Sequence, residues 1–277
     1  MEITSQKKAQ ISIVIPTLNE EKFLPKLLQS LVEQSDKNFE VIVVDGKSND
    51  KTVEVARSYI ETVPNLTVIE SQEKGVSFQK NLGAKKAKGE WVLFIDADVI
   101  LYPYFFDRIR SFIDSGSVSF ITPWFSPDTP HSADVAVTLL ALGMFEGALI
   151  VKKPLAACVV GVKKELFESV GGFDETRSFG EDHDLTQKLE KIGASLYIIR
   201  ETLYIQSFRR YRAQGRMKFL QAYSQGILSV MFTSQSPKKI VGYELGGQIY
   251  KQKKKSSTSI IKTFRKGFKK LMREMGV

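Results

Sequence analysis

The apolar run Trp91-Val92-Leu93-Phe94-Ile95 leads directly into Asp96-Ala97-Asp98, setting two carboxylates at the end of a strand-like segment. Side chains alternate along a strand, so Asp96 and Asp98 are expected on one side, with small Ala97 leaving room for a ligand near the backbone. Paired hard oxygen donors of this kind suit Mg²⁺ or Mn²⁺, ions commonly shared with the phosphates of a nucleotide. Alone, the pair is equally consistent with a solvated strand-to-turn junction, because Asp is a common turn residue. Further chemistry-bearing groups lie in Pro16-Thr17-Leu18-Asn19-Glu20, in Asp45-Gly46-Lys47-Ser48-Asn49-Asp50, in Gly75 with Gln79-Lys80-Asn81-Leu82-Gly83, and in Gly180-Glu181-Asp182-His183-Asp184-Leu185. Each has a plain structural role open to it: helix caps for Asn19, Asn49 and Asp182, and turns for the glycines. His183 could bind metal, but a lone histidine at a helix start is expected to be simply exposed.

The elements around these residues follow from periodicity. An unbroken apolar run reads as a strand covered on both faces of a parallel sheet, and such sheets bind ligands at the carboxyl ends of their strands. Residues 11–15 and 39–44 read as two more strands and 66–69 as a short one. Helical patterns fall at about 21–33, with Phe23, Leu24, Leu27, Leu28, Leu31 and Val32 on one face, and at 52–60 and 77–88. This alternation predicts an α/β, Rossmann-like, mostly parallel sheet with flanking helices. Farther on, 120–124 and 195–199 read as strands, and 163–170, about 182–192 and 212–232 as helices. Residues 135–151 are apolar apart from Thr138, two glycines and Glu146. A membrane span usually needs about 20 apolar residues, so a core or membrane-facing helix is expected there.

The chain has 277 residues, 43% of them hydrophobic, enough for a substantial core. One cysteine, Cys158, excludes an intramolecular disulfide, and no Cys/His cluster is spaced for zinc. With a polar stretch over residues 1–10, the expected setting is cytoplasmic. The net charge of +9 is uneven: residues 251–277 hold ten Lys/Arg and one acid, so the rest of the chain sums to zero. At 100° per residue, Ile260, Ile261, Phe264, Phe268 and Leu271 fall on one arc with Met272 and Met275, and the basic residues from Lys262 to Arg273 fall outside it. A basic amphipathic helix of this kind suits an anionic membrane surface, although it could instead pack on the body. Nucleic acid is disfavoured as a partner by the neutral body and the lack of a recognised binding motif.

Together the motifs P-T-x-N-E, V-V-D-G-x-S-x-D-x-T, G-x-x-x-x-x-N-x-G, D-x-D, G-G-F-D-E and G-E-D-x-D-L, spread over residues 10–200, resemble the family-2 inverting nucleotide-sugar glycosyltransferases of the GT-A fold. The resemblance implies a catalytic domain over 1–235 followed by a basic helical extension over 236–277. It implies that Asp45, Glu20 and the Pro16-Thr17 backbone hold the base and ribose of a UDP- or GDP-sugar, with Asn19, Gly75 and Ala97 also lining the donor. Asp96 would reach ribose or metal and Asp98 would ligate Mn²⁺ or Mg²⁺. Lys80 stands where many relatives carry Arg, near the diphosphate. Asp182 would be the base, with Glu181 and Asp184 orienting it or binding the acceptor.

That layout fits the chemistry. Negative charge building on a leaving diphosphate is offset by a metal, and the attacking hydroxyl needs a base across the sugar. The Q-x-x-R-W signature of processive synthases is missing, Gln214-Gly215-Arg216-Met217 being a faint echo, so repeated chain extension is disfavoured. The expected activity is metal-dependent transfer to a sugar or lipid-linked acceptor by a peripheral enzyme at the cytoplasmic membrane face. Two rivals are a sugar-nucleotide pyrophosphorylase, which should begin with a glycine-rich G-x-G-x-R loop that is absent after Ile15, and a non-catalytic membrane or RNA adaptor.

Overall fold

The computed structural model describes residues 10–214, apart from 157, 178 and 179. Three strands without a single exposed residue form its centre: β1 (Ile11–Thr17), β2 (Phe39–Asp45) and, after the short β3 (Leu66–Glu70), β4 (Trp91–Ile95). Helices α1 (Leu24–Val32), α2 (Thr52–Ser58) and α3 (Val76–Lys86) connect them, giving parallel pairing β3-β2-β1-β4. The chain moves outward from β1 to β3 and then crosses back to β4. A crevice therefore opens at the carboxyl ends of β1 and β4, the switch point where open α/β sheets bind ligands.

Past β4 come β5 (Val99–Leu101), α4 (Phe105–Ile113), β6 (Phe120–Pro127), α5 (Ser132–Ile150), β7 (Val159–Lys163), α6 (Lys164–Ser169), α7 (Glu181–Lys191), β8 (Tyr197–Gln206) and α8 (Arg209–Gln214). β7 and β5 run against the other strands, and the sheet order is β3-β2-β1-β4-β7-β6-β8-β5. The mostly parallel sheet is as the sequence predicts. α4 has no counterpart among the sequence expectations, and β8 extends well beyond 195–199. Most of the helix expected over 212–232, and the basic amphipathic stretch with Ile260, Ile261, Phe264, Phe268 and Leu271, lie outside the described residues.

α3 has no apolar stripe. Its buried residues are Ser77, Gln79, Lys80, Gly83 and Ala84, so close approach and polar contacts hold it. A Cβ on Gly83 would come 2.3 Å from Val14 Cγ1, which brings the helix down onto β1 and sends Gln79 and Lys80 into the crevice. α5 differs again. It is long and apolar enough to cross a membrane by length and composition, and only 22% of its apolar window is buried. Leu139, Leu140 and Ile150 are 65%, 58% and 84% exposed.

Candidate active site

The last register pair of β1 and β2 is Thr17 with Asp45, which sets both at the crevice. Asp45 accepts from Thr17 Oγ1 at 3.1 Å and from the Ser48 amide and hydroxyl at 2.8 and 2.5 Å. The following loops are laced together. The Asn49 amide donates to Asn19 Oδ1 at 2.8 Å, the Asn19 amide to Ser48 Oγ at 2.8 Å, and the Glu20 amide to Thr52 Oγ1 at 2.7 Å. Asn19 adopts φ 56°, a left-handed conformation its short polar side chain tolerates. From α3, Gln79 Nε2 donates to the carbonyls of Thr17 and Val44 at 2.8 and 2.6 Å. Pro16, Thr17, Asn19, Glu20 and Asp45 thus share one rigid edge. Gly75 begins α3 at φ 145°, a backbone that side chains disfavour.

The two D-x-D acids are not held by strand alternation. β4 ends at Ile95, and the chain turns at once, the Val99 amide donating to the Asp96 carbonyl at 3.2 Å. The Asp96 amide donates to the Cys158 carbonyl at 3.1 Å, which ties this turn to the start of β7. Ala97 is buried inside it.

Lys80, only 2% exposed, reaches from α3 to the start of α7. Its Nζ lies 3.0 Å from Glu181 and 2.8 Å from Asp182, and 5.1 Å from the Phe173 ring centroid. The contacts placed on Lys80 are therefore with the E-D pair. α7 itself starts at Gly180, in left-handed conformation at φ 68°, so three acids crowd its first turn. The G-G-F-D-E turn is fixed to α3 by Asn81, which donates to the Phe173 carbonyl at 3.0 Å and accepts from its amide at 2.9 Å.

Three carboxylates therefore surround one ammonium. Burial alone would lower the Lys80 pKa, but Asp182, Glu181 and Asp96 outweigh it and hold the amine charged, well above its usual value. Burial would raise Glu181, yet the Lys80 charge keeps it below the ordinary carboxylate range. Asp182 goes the other way. Burial, reinforced by the Glu181 and Asp96 charges, pushes it up to about 7 in spite of Lys80. Asp96 is also raised, first by burial. Asp184 pairs with Arg177 at 2.9 Å and Lys188 at 3.1 Å. His183 is not the freely exposed residue expected of a helix start: it is half-buried, its Nδ1 is shielded from water, and burial lowers its pKa to about 4.

Several site residues carry no sequence motif. Arg209, at the start of α8, forks onto Glu20 at 2.7 and 2.5 Å and places Nε 2.9 Å from Asp98 Oδ2. Its signal was a pair of arginines after a strand, which spacing alone does not connect to residues 20 and 98. Cys158, noted in the sequence only as the sole cysteine, was equally silent about the site. Burial, then the Asp96 and Asp98 charges, raises the Cys158 thiol well above its usual pKa. The Tyr204 hydroxyl is buried without a hydrogen-bond partner among the described residues.

Among the described residues no group of three or more His, Cys, Asp or Glu is placed to hold a metal ion. Asp96 and Asp98 nonetheless fit Mg²⁺ or Mn²⁺, which take few protein oxygens and fill the remaining positions with phosphate and water. The Asp98 carboxylate already draws a cation, the Arg209 guanidinium.

Residues 12–144, which include the laced loops after β1 and β2, Lys80 and the D-x-D turn, match the model of glycosyl transferase family 2. The chain carries a family-2 glycosyltransferase domain. An uncharacterized glycosyltransferase of Haemophilus influenzae is 28% identical over 211 residues, covering 73% of this chain and 70% of that protein. Among solved structures, Staphylococcus aureus TarS in complex with UDP-GlcNAc is similar with a TM-score of 0.58 and 24% identity over 72% of this chain and 58% of that one. The mannosyltransferase PcManGT of Pyrobaculum calidifontis, in complex with GDP-Man and Mn²⁺, gives a TM-score of 0.60 at 21% identity, covering 83% of this chain and 66% of that one. The chain thus spans less than two thirds of either solved chain. The domain has the GT-A fold and is a glycosyltransferase domain, as the motifs imply.

Proposed function

We propose that the protein is a metal-dependent, inverting glycosyltransferase that moves one sugar from a UDP- or GDP-sugar to a membrane-associated acceptor. The observation that carries this reading is the Asp182 carboxyl: partly buried, poised at about 7, and held at Oδ1 by a charged lysine on the helix that also seals the donor edge. A base tuned near neutral pH is what abstraction of a hydroxyl proton needs. Nucleotide-sugar complexes of TarS and PcManGT support the donor class.

In this mechanism Asp45, Glu20 and the Thr17 loop hold the nucleoside end. An acceptor hydroxyl oxygen attacks the anomeric carbon, and its proton passes to Asp182 Oδ2, while Lys80 fixes Oδ1. The bond from that carbon to the phosphate oxygen breaks, and its electron pair leaves with the nucleoside diphosphate. A divalent cation bound by Asp98 and Asp96 would supply Lewis-acid stabilisation of that leaving charge. The Lys80 ammonium keeps the three-acid cluster together as the proton arrives.

The membrane part of the reading is supported by the exposed apolar face of α5, with Lys152 and Lys153 just beyond its end, and by the basic stretch over residues 251–277. The test is a panel of nucleotide-sugars assayed with Mn²⁺, with and without chelator, for the intact chain and Asp182→Asn. Asp182→Asn should bind the donor nearly as before while kcat falls ~10²–10⁴-fold. A variant that keeps most of its turnover puts the base elsewhere.

A further inference from the structure

Arg209 holds an unusual position for a side chain so remote in sequence from its partners. Its two terminal nitrogens form a bidentate pair with Glu20 at 2.7 and 2.5 Å, its Nε meets Asp98 at 2.9 Å, and its guanidinium lies 4.0 Å from the Phe23 ring centroid. All three partners of the guanidinium are thereby engaged, and the side chain is nearly buried. Stacked, bidentate geometry is the form in which arginine binds carboxylates most selectively.

We propose that Arg209 is a built-in competitor of the divalent cation at Asp98. Its guanidinium occupies Asp98 Oδ2, and loading a metal on that carboxylate would require the side chain to withdraw. This rests on reading Asp98 as a cation ligand. Two positive groups cannot share one carboxylate oxygen at contact distance without strong repulsion. Withdrawal need not unseat α8, because the helix has a second fastening: Arg212 grips Asp128 at 2.8 and 2.5 Å and Asp134 at 3.0 Å, and Asp128 also accepts from the Phe208 amide at 3.1 Å. The device is a side-chain switch on a fixed backbone. It keeps the buried Glu20 and the partly buried Asp98 carboxylates paired until a cation and donor arrive together.

The experiment measures Mn²⁺ alone, by water-proton relaxation, on the full chain and on Arg209→Gln, Arg209→Lys and Asp98→Asn, alongside the shift in Tm that Mn²⁺ produces in each. Arg209→Gln should bind Mn²⁺ about tenfold tighter or more, within the usual span of coupling between two ligands of one site, and should show the largest Mn²⁺-induced rise in Tm. Arg209→Lys, which keeps the charge but loses the fork, should fall between the two and covers the case in which the glutamine variant does not fold. Asp98→Asn should lose the binding. If both Arg209 variants bind Mn²⁺ no tighter than the parent while Asp98→Asn still abolishes it, the competition is refuted and Asp98 stands as ligand. If Asp98→Asn binds Mn²⁺ like the parent, the ligand reading itself fails, and the competition with it.

Discussion

Replacing Lys80 by Gln removes the ammonium that, among the described residues, pairs with a cluster of three carboxylates, and leaves a neutral, polar and slightly shorter side chain. Lys80 Nζ sits 2.8 Å from Asp182 Oδ1. A unit-charge attraction at about 4 Å between charge centres is worth about 4 kcal/mol at an effective dielectric near 20. At 1.36 kcal/mol per pKa unit, losing it moves the Asp182 carboxyl up by ~3 units. The parent base, at about 7, is about three-quarters ionised at pH 7.5. In the variant that fraction drops below ~1%, so kcat at pH 7.5 falls ~10²-fold if proton transfer limits turnover. The loss is conditional on pH. The parent rate should rise as pH climbs through about 7 and then level off, because the base works only after losing its proton; the variant should still be rising at pH 9. The same change leaves buried charges unpaired, at a cost of about 3–5 kcal/mol, so the profile should be taken at low temperature with circular dichroism confirming the fold. Lys80→Arg should restore the profile. A Lys80→Gln enzyme with an unshifted pH profile refutes the claim that Lys80 sets the base; one that instead loses donor affinity at every pH assigns Lys80 to the diphosphate.

Gly83→Ala puts a Cβ 2.3 Å from Val14 Cγ1, so α3 must back away from β1, and urea denaturation should register a loss of about 1–3 kcal/mol. Donor affinity should weaken with it, since Gln79 and Lys80 ride on the same helix. The double change Leu139→Glu with Leu140→Glu falls on an exposed face and should leave the urea midpoint within about 0.5 kcal/mol of the parent. It should nevertheless cut co-sedimentation with anionic liposomes; undiminished sedimentation removes α5 from the membrane contact.

The central sheet was legible because β4 is an unbroken apolar run and β1 and β2 are apolar apart from Ser12 and Glu40 inside them and Thr17 and Asp45 at their ends, a pattern that suits a doubly covered strand. α4 was not, because Tyr102-Pro103-Tyr104-Phe105-Phe106 mixes a helix breaker with aromatics that suit strands as well, and only packing of Phe105, Phe106 and Ile109 decides the matter. Motif spacing brought the donor loops and the E-D pair into view. It could not show that the D-x-D acids sit in a turn, since alternation is a property of the strand that has just ended at Ile95. Arg209 stayed hidden for a different reason: a charge pair between residues 98 and 209 leaves no periodic trace in a sequence. His183 was misread because its burial depends on what packs over the first turn of α7.

The sole cysteine, Cys158, faces the D-x-D turn with its thiol held protonated by burial and by the Asp96 and Asp98 charges. A protonated sulfur is a poor nucleophile, so maleimide and iodoacetamide reagents should pass it by at neutral pH. Spectroscopists thus have a chain that is nearly silent to thiol labelling without any prior substitution. A cysteine introduced at Leu139 could carry a polarity-sensitive fluorophore alone, and a second at Lys22 or Lys51 could serve as the far end of a distance ruler. Such a pair would follow α5 and the donor edge in one molecule, with the native thiol kept in place beside the chemistry it borders.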